Sequence, residues 1–82
     1  MVDIEYDEFF KKKFDKIKDE LFKLKVKKQI RKIIELPETG KPMKHDRKGT
    51  REVYIPPFRL SYAYIKEDNK IIFMELYHKD EQ

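Results

Sequence analysis

The sequence predicts an α+β fold in which an N-terminal helical hairpin packs on a small, mostly antiparallel sheet, in the order β-α-α-β-β-β. Apolar residues recur at helical spacing between positions 10 and 34, and they alternate with polar residues between positions 58 and 77. Prolines at positions 37, 56 and 57 mark where a helix or a strand has to end. The 82 residues suit one domain with one small core, so we assign residues 1–82 to a single domain.

The N-terminal half is predicted to contain a short strand and two helices. Residues 2–6 alternate apolar and polar side chains, which is typical of a strand, and Asp7 is a suitable N-cap for the helix that follows. The apolar face of this first helix is formed by Phe10, Phe14, Ile17 and Leu21. A second helical stripe is formed by Phe22, Val26, Ile30, Ile33 and Ile34. The two stripes change phase at residues 21–24, which predicts the joint of the hairpin there, and Pro37 predicts that the second helix ends at Leu36.

Three strands are predicted in the C-terminal half, over residues 51–55, 58–65 and 71–77. Pro56 and Pro57 join the first two strands, and residues 67–70 form the turn before the third. Alternation places Leu60 and Tyr62 towards the core and Arg59 on the opposite face. Across the chain, the expected core residues are Phe10, Phe14, Ile17, Val26, Ile30, Ile33, Leu60, Tyr62 and Ile72.

The positive charge is concentrated in the middle of the chain. The net charge is +4, but residues 1–10 hold four acids and no base, while residues 11–51 hold sixteen Lys or Arg against six Asp or Glu. Such a basic segment is typical of a surface that binds a polyanion such as RNA. A solvated lysine-rich surface is the alternative interpretation, because 44% of all residues are charged.

Composition argues against several classes of site. The absence of cysteine excludes disulfides, thiol nucleophiles and cysteine-type zinc sites, and two histidines far apart do not make a metal site, so we expect no metal and no cofactor. The acidic first ten residues are unlike a signal peptide. No apolar run approaches the roughly 20 residues of a membrane span, so we expect a soluble, cytoplasmic protein without membrane contact.

RNA cleavage is a chemistry that these residue types could support. The ribose 2′-hydroxyl can attack the adjacent phosphate if a base, an acid and cations surround it, and Arg51, Arg59, Lys44 and His78 have suitable side chains. Four tyrosines could stack on bases, namely Tyr54, Tyr62, Tyr64 and Tyr77. Tyr62 and Tyr64 share the face of Leu60, which favours core packing for these two. Each residue also has a structural interpretation, since a strand arginine can be merely solvent-exposed and a histidine near a chain end can be inert.

Five segments, in order, resemble the RelE/ParE toxin superfamily of type II toxin–antitoxin systems over nearly the whole chain. Residues 14–33 are similar to its helical hairpin, and residues 37–43, Pro-Glu-Thr-Gly-Lys-Pro-Met, resemble its P-x-x-G-K-P-L loop. Residues 48–55, Lys-Gly-Thr-Arg-Glu-Val-Tyr-Ile, resemble the segment that enters the sheet. Residues 58–62, Phe-Arg-Leu-Ser-Tyr, resemble the Y-R-V-I-Y strand, and residues 77–80 resemble the terminal histidine motif.

The resemblance implies a RelE-like fold and a metal-independent endoribonuclease that cuts messenger RNA on the ribosome. It also implies a RelB-like antitoxin that holds the toxin inactive. Arg59 would bind the scissile phosphate, His78 would be the general acid or base, and Arg51 would be a further catalytic cation. The residues expected to bind RNA or phosphate are Lys44, Arg47, Lys48, Tyr54 and Lys79.

Some positions depart from the family pattern. Glu52 and Tyr54 stand where the RelE branch has two lysines, Met43 stands where the YoeB-like branch has a glutamate, and residues 79–82 lack the terminal tyrosine of many members. Members of the ParE branch share the fold and act on DNA gyrase. Three functions therefore stay open: an mRNA endonuclease, a gyrase inhibitor, and a weak or silent toxin that acts as a binding module.

Overall fold

A computed structural model describes residues 1–43, 49–78 and 80. Its elements are β1 (Asp3–Tyr6), α1 (Glu8–Asp15), α2 (Glu20–Glu35), β2 (Lys41–Pro42), β3 (Thr50–Ile55), β4 (Phe58–Ile65), a short 3₁₀ turn (Lys66–Asp68) and β5 (Lys70–His78). The strands form one sheet in the order β1-β5-β4-β3-β2, in which only the β1–β5 pair is parallel. Both helices pack on the same face, which confirms the predicted α+β class.

Side-chain caps determine where the two helices begin. Asp7 accepts a hydrogen bond from the backbone N–H of Phe9, as predicted, and Asp19 accepts from the N–H groups of Leu21 and Phe22. The joint therefore lies at residues 16–19, and the predicted joint at residues 21–24 is wrong. The prediction used only the phase of the apolar residues and overlooked the N-cap at Asp19, which begins α2 before the phase changes. The second helix ends at Glu35, just before Leu36, as expected from Pro37.

The sheet has five strands instead of the predicted four. β4 has the predicted bounds, whereas β3 and β5 are longer than predicted by one and two residues. The additional strand, Lys41–Pro42, pairs with residues 51 and 52 of β3. Sequence analysis missed it because two residues are too few to show alternation.

The core lies between the helices and the central strands. Its fully or nearly fully buried apolar side chains are Phe10, Phe22, Val26, Ile33, Ile55, Leu60, Tyr62, Ile71, Phe73 and Leu76. Phe14, Ile17 and Ile30 were also predicted, and they pack against this core while staying partly exposed.

The prediction for Ile72 is wrong, because β5 contains an irregularity. Ser61 pairs with Glu75, but the next residue of β4, Tyr62, pairs with Phe73. One extra residue in β5 exchanges the two faces of the strand beyond it. Ile71 and Phe73 therefore point into the core, and Ile72 is only half-buried on the other face.

The pairing register assigns strand residues to two faces, because directly opposed residues share a face. Leu60, which is in the core, is opposed to Val53 and Leu76. The alternate residues lie on the face away from the helices, which we call the helix-free face. They include Lys41, Glu52, Tyr54, Arg59, Ser61 and Tyr77.

The described part of the chain contains no candidate for a membrane-spanning helix.

Candidate nucleic-acid interface

Arg59 lies on β4, the central strand of the sheet. The two-residue connection at Pro56 and Pro57 sets the β3–β4 register, which places Tyr54 opposite Arg59. On the other side, Tyr77 of β5 is opposite Arg59. The side chains of Tyr54, Arg59 and Tyr77, from three neighbouring strands, therefore meet on the helix-free face. This is the face on which alternation along the sequence placed Arg59.

Glu52 connects Arg59 to Tyr77. The guanidinium Nη1 of Arg59 donates a hydrogen bond of 2.9 Å to Glu52 Oε1, and the Tyr77 hydroxyl donates to Glu52 Oε2. The Glu52 side chain is only 10% exposed, so these two donors replace hydrogen bonds that water would otherwise make to its carboxylate. The hydrogen bond from Arg59 to Glu52 raises the pKa of the guanidinium, while burial opposes the rise, so Arg59 stays charged at all physiological pH values.

Arg59 is held in place yet reachable from solvent. Its side chain is 37% exposed, and its Cζ lies 5.7 Å from the ring centroid of Tyr54, within the range of a cation–π contact. Its Nε is buried and has no hydrogen-bond partner among the described residues. We name Glu52, Tyr54, Arg59 and Tyr77 the Arg59 cluster. It presents a fixed cation beside an exposed aromatic ring, which is an arrangement suited to a phosphate and a neighbouring base.

Arg51 has different surroundings, although it is only one residue from Glu52. It is opposed to Tyr62, so it lies on the helix-covered face. Its Nη1 donates to the backbone carbonyls of Gly40 at 2.8 Å and Glu38 at 3.0 Å, and its Nη2 is 3.7 Å from the Glu38 carboxylate. These contacts hold the segment that follows α2 against strand β3. The structure does not bring Arg51 together with Arg59.

Tyr62 completes the same corner of the fold. Its hydroxyl donates to the carbonyl of Pro37 at 2.8 Å and accepts from the N–H of Gly40 at 2.9 Å. Burial raises the pKa of this hydroxyl, while the hydrogen bond from Gly40 and the charge of Arg51 lower it less. A Cβ at Gly40 would lie 2.6 Å from the Tyr62 hydroxyl oxygen, so only glycine fits there. We name Gly40, Arg51, Tyr62 and the backbone of residues 37–38 the anchored corner.

His78 ends β5 on the helix-covered face. It is opposed to Phe58, and the two rings meet edge to face at 5.4 Å between centroids. Its Nδ1 accepts a hydrogen bond of 3.2 Å from the N–H of Asp80, and its side chain is partly exposed. Because Tyr77 is the β5 residue opposite Arg59, the structure places His78 and Arg59 on opposite faces of the sheet.

Four of the predicted RNA-binding residues, Lys44, Arg47, Lys48 and Lys79, lie outside the described residues. Tyr54 is described, and it is exposed beside Arg59. Among the described residues, no group of three or more His, Asp or Glu side chains is placed to hold a metal ion.

Sequence reasoning missed the roles of Glu52 and Lys41. Glu52 was noted only as a departure from the family pattern, yet it organises the Arg59 cluster. Lys41 is opposed to Glu52 in the β2–β3 pair, so it places a further cation on the helix-free face, beside Glu52. Counting back two residues from Tyr54 would have placed Glu52 on the face of Arg59, because the proline turn sets the register.

A model of one protein family matches almost the whole chain. The family is described as the ParE toxin of the type II toxin–antitoxin system parDE, and the match covers residues 4–82. No curated protein matches the chain.

Several solved structures have the same fold at low sequence identity. A chain of the intact Escherichia coli RelBE toxin–antitoxin complex is 16% identical with a TM-score of 0.81, and the match covers 95% of this chain and 96% of that one. The YoeB/ParE toxin from Agrobacterium tumefaciens is 15% identical with a TM-score of 0.82, over 94% and 98% of the two chains. YafQ from E. coli strain BL21(DE3) is 24% identical with a TM-score of 0.68, over 99% and 97%.

Proposed function

We propose that this chain, which belongs to the ParE toxin family of type II toxin–antitoxin systems, acts as an endoribonuclease that cuts messenger RNA on the ribosome and so inhibits translation. The observation that supports this target most is the Arg59 cluster, where a charged, partly exposed guanidinium lies beside Tyr54. A backbone phosphate and an unstacked base have the chemistry that such a pair binds.

Arg59 would bind the phosphate by exchanging one hydrogen-bond acceptor, the Glu52 carboxylate, for another, a phosphate oxygen. In the structure its Nη1 donates to Glu52, and its exposed part remains open to a ligand. A phosphate oxygen is an equally good acceptor and would draw donors away from the carboxylate. When the 2′-hydroxyl attacks, negative charge builds up on the phosphate oxygens, and a guanidinium held in advance stabilises that charge more than it stabilises the bound substrate.

Proton transfer by His78 stays a prediction that rests on the family resemblance. The imidazole and Arg59 lie on opposite faces, so an RNA strand would have to pass around the end of β5 to meet both. If His78 transfers the proton, the cleavage rate depends on this imidazole and varies with pH. His78→Ala should then abolish cutting and that pH dependence together, and His45→Ala should change neither. A His78→Ala protein that cuts with an unchanged pH profile would assign His78 a packing role against Phe58.

The proposed partners are an antitoxin, the ribosome and mRNA, and the proposed location is the cytoplasm. Support for the antitoxin comes from the matching structures that contain one, such as the E. coli RelBE complex and the Mycobacterium tuberculosis RelBE2 complex. The ribosome and mRNA follow from the proposed reaction.

Inhibition of DNA gyrase is the second candidate function. The match to the ParE family model favours it, and so does the separation of His78 from Arg59, because an inhibitor needs no catalytic histidine. In that case the Arg59 cluster would contact gyrase and not RNA.

Two assays run in parallel distinguish these candidates. Primer extension on mRNA during translation detects cleavage, and a supercoiling assay detects gyrase inhibition. We expect codon-spaced cuts from the wild type and no effect on supercoiling. Arg59→Ala should slow cutting by roughly 10²–10³-fold, the usual cost of losing one preorganised donor. Arg31→Ala removes an exposed arginine from α2 and serves as the control. Inhibited supercoiling with intact mRNA would favour the second candidate.

A further inference from the structure

A cut beside Arg59 requires a proton acceptor on the helix-free face. The 2′-hydroxyl has to lose its proton as its oxygen approaches the phosphorus atom. The phosphate is proposed to bind Arg59, whereas His78 lies on the opposite face of the sheet. A group that takes this proton therefore has to lie close to Arg59.

Glu52 is the member of the Arg59 cluster that can only accept hydrogen bonds. Its Oε1 accepts from Arg59 Nη1 at 2.9 Å, and its Oε2 accepts from the Tyr77 hydroxyl. An ionised carboxylate holds no proton, whereas the guanidinium and the phenol hydroxyls of the cluster each carry theirs. Within the cluster, the carboxylate is thus the group that can receive a proton.

The surroundings of Glu52 favour proton uptake once Arg59 turns away. Lys41 of β2 is opposed to Glu52 on one side, and Ser61 of β4 is opposed to it on the other. The Glu52 side chain is 10% exposed and Ser61 is 8% exposed, so little water reaches the carboxylate. A carboxylate that loses a cationic donor in a site with little water binds a proton more strongly than it does in bulk water.

Phosphate binding would free the carboxylate next to the reacting atoms. When Arg59 Nη1 turns from Glu52 Oε1 to a phosphate oxygen, Oε1 loses its donor while Tyr77 still holds Oε2. The freed oxygen and the phosphate are then neighbours, because the same guanidinium contacts both, and the 2′-hydroxyl adjoins the phosphate. On the basis of the ribonuclease function proposed above, we propose that Glu52 is the general base that takes the proton of the 2′-hydroxyl.

Protons and electron pairs balance in this step. The 2′-O–H bond breaks, its proton passes to Glu52 Oε1, and its electron pair forms the new bond to phosphorus. The bond from phosphorus to the 5′-oxygen breaks, and that oxygen leaves with the electron pair and takes a proton from water or from His78. The products are a 2′,3′-cyclic phosphate and a 5′-hydroxyl, and Glu52 then returns its proton to the solvent.

Glu52→Gln separates proton transfer from RNA binding. The amide oxygen still accepts from Arg59 and the amide nitrogen can donate to the Tyr77 hydroxyl, so the variant keeps the hydrogen bonds but has no proton acceptor. We expect single-turnover cutting of translated mRNA, followed by primer extension, to slow by roughly 10²-fold or more. An RNA with methylated 2′-hydroxyls should bind at least as tightly as it binds the wild type. Glu75→Gln, at an exposed acid on the same face, should cut at the wild-type rate.

Rescue by a free carboxylate distinguishes a base from a residue that only supports the site. Glu52→Ala removes the side chain, and formate is small enough to enter the space that it leaves. We expect formate to raise the cutting rate of Glu52→Ala at least about tenfold, while chloride at the same ionic strength has no effect. Formate should not rescue Glu52→Gln, whose amide fills the same space. Circular dichroism verifies the fold, and the Glu52→Gln result stands by itself if Glu52→Ala does not fold.

Tyr77 would be a positioning residue, because it acts through the carboxylate that it holds. Tyr77→Phe keeps the buried ring and removes the hydroxyl. We expect the rate of the cutting step to fall about tenfold while the affinity for the methylated RNA stays unchanged, since only the orientation of the base is disturbed. A change in affinity without a change in rate would assign Tyr77 to RNA binding.

Two results with Glu52→Gln would overturn the proposal. Cutting at the wild-type rate would show that the base is another group. Slow cutting with an equal loss of RNA binding would show that Glu52 only holds Arg59 in position. A wild type that leaves mRNA intact would refute the proposed function together with this inference, whereas a wild type and a Glu52→Gln protein that cut equally well would refute the assignment of the base alone.

Discussion

The anchored corner and the Arg59 cluster each hold an arginine and a tyrosine by hydrogen bonds, but the hydrogen-bond partners differ in kind. The two arginines lie on neighbouring strands but on opposite faces of the sheet. In the anchored corner, Arg51 and Tyr62 bond to backbone groups of residues 37–40. In the Arg59 cluster, the arginine and Tyr77 both donate to one carboxylate, that of Glu52.

The kind of hydrogen-bond acceptor decides whether each arginine can also bind a ligand. Backbone carbonyls cannot leave their positions without unfolding the segment, so the bonds of Arg51 and Tyr62 stabilise the fold and are not available to a ligand. A carboxylate is an anionic acceptor, and a phosphate competes with it on equal terms for the same guanidinium donors. We therefore expect Arg51 to contribute mainly to stability and Arg59 to be the arginine that is available to a ligand.

Gly40→Ala should have the largest effect on stability. The new Cβ would lie 2.6 Å from the Tyr62 hydroxyl oxygen and 2.8 Å from its ring, and this tyrosine is fully buried, so it cannot move aside. We expect a loss of about 3 kcal/mol or more in the free energy of unfolding, from overpacking and from the two weakened hydrogen bonds. Urea denaturation measures it. Gly49→Ala, where nothing lies within 4 Å of the added Cβ, provides a control for strain alone, because the φ of Gly49 is +85°.

Arg51→Ala should cost about 2 kcal/mol, because it leaves the carbonyls of Glu38 and Gly40 without their donor. Arg51→Lys should recover only part of the loss, since a single ammonium has no second nitrogen to take the place of Nη2 beside the Glu38 carboxylate. Thermal unfolding of Arg51→Ala and Arg59→Ala side by side sharpens the comparison. A larger loss of stability from Arg59→Ala would contradict the assignment of stability to the anchored corner.

Glu52→Gln should strengthen RNA binding by roughly threefold to tenfold, because it removes the charge that competes with phosphate for Arg59. Fluorescence anisotropy with a short single-stranded RNA measures the change. Glu75→Gln is the matched control, since it removes an exposed acid from the same face of the sheet. Weaker binding by Glu52→Gln would show instead that Glu52 is required to hold Arg59 in position.

The smallest expected effect is a dependence of stability on alkaline pH. Burial raises the pKa of Tyr62 above its usual value of about 10, so the unfolded chain loses this proton first as the pH rises. Stability is then fully present below pH 10 and falls between pH 10 and the raised pKa. Urea denaturation at pH 8–11 should show a steeper fall for the wild type than for Tyr62→Phe, which has no such proton. Parallel curves would mean that the hydroxyl ionises equally easily in both states.

The sequence contained enough to predict the fold class and most of the element bounds. An N-cap aspartate, prolines and alternation are local signals. They correctly predicted Asp7 as the N-cap of α1, the end of α2 and both ends of β4. The hairpin joint was misplaced because the local cap at Asp19 was overlooked, and the errors in the sheet arose where structure depends on distant pairing. β2 exists because β3 offers it an edge, and Ile72 faces outward because β5 shifts by one residue against β4.

The candidate site was also predictable only in part, because some of its features are local and others depend on strand pairing. The outward direction of Arg59 follows from alternation along one strand, and it is correct. The separation of Arg59, Arg51 and His78 depends on the registers of three strands, which motif order along the chain does not contain. Segments in the right order thus predicted the family, but they did not predict which side chains share a face.

The central claim is that Arg59, and not Arg51, receives the phosphate. The most direct test follows the guanidinium NMR signals during titration with a single-stranded RNA whose 2′-hydroxyls are methylated, so that it binds without being cut. The sequence has only four arginines, so each signal can be assigned by substitution. We predict that the Arg59 signals shift and saturate with the RNA concentration while the Arg51 signals stay in place. Saturable binding that shifts the Arg51 signals and leaves those of Arg59 unchanged would contradict the account.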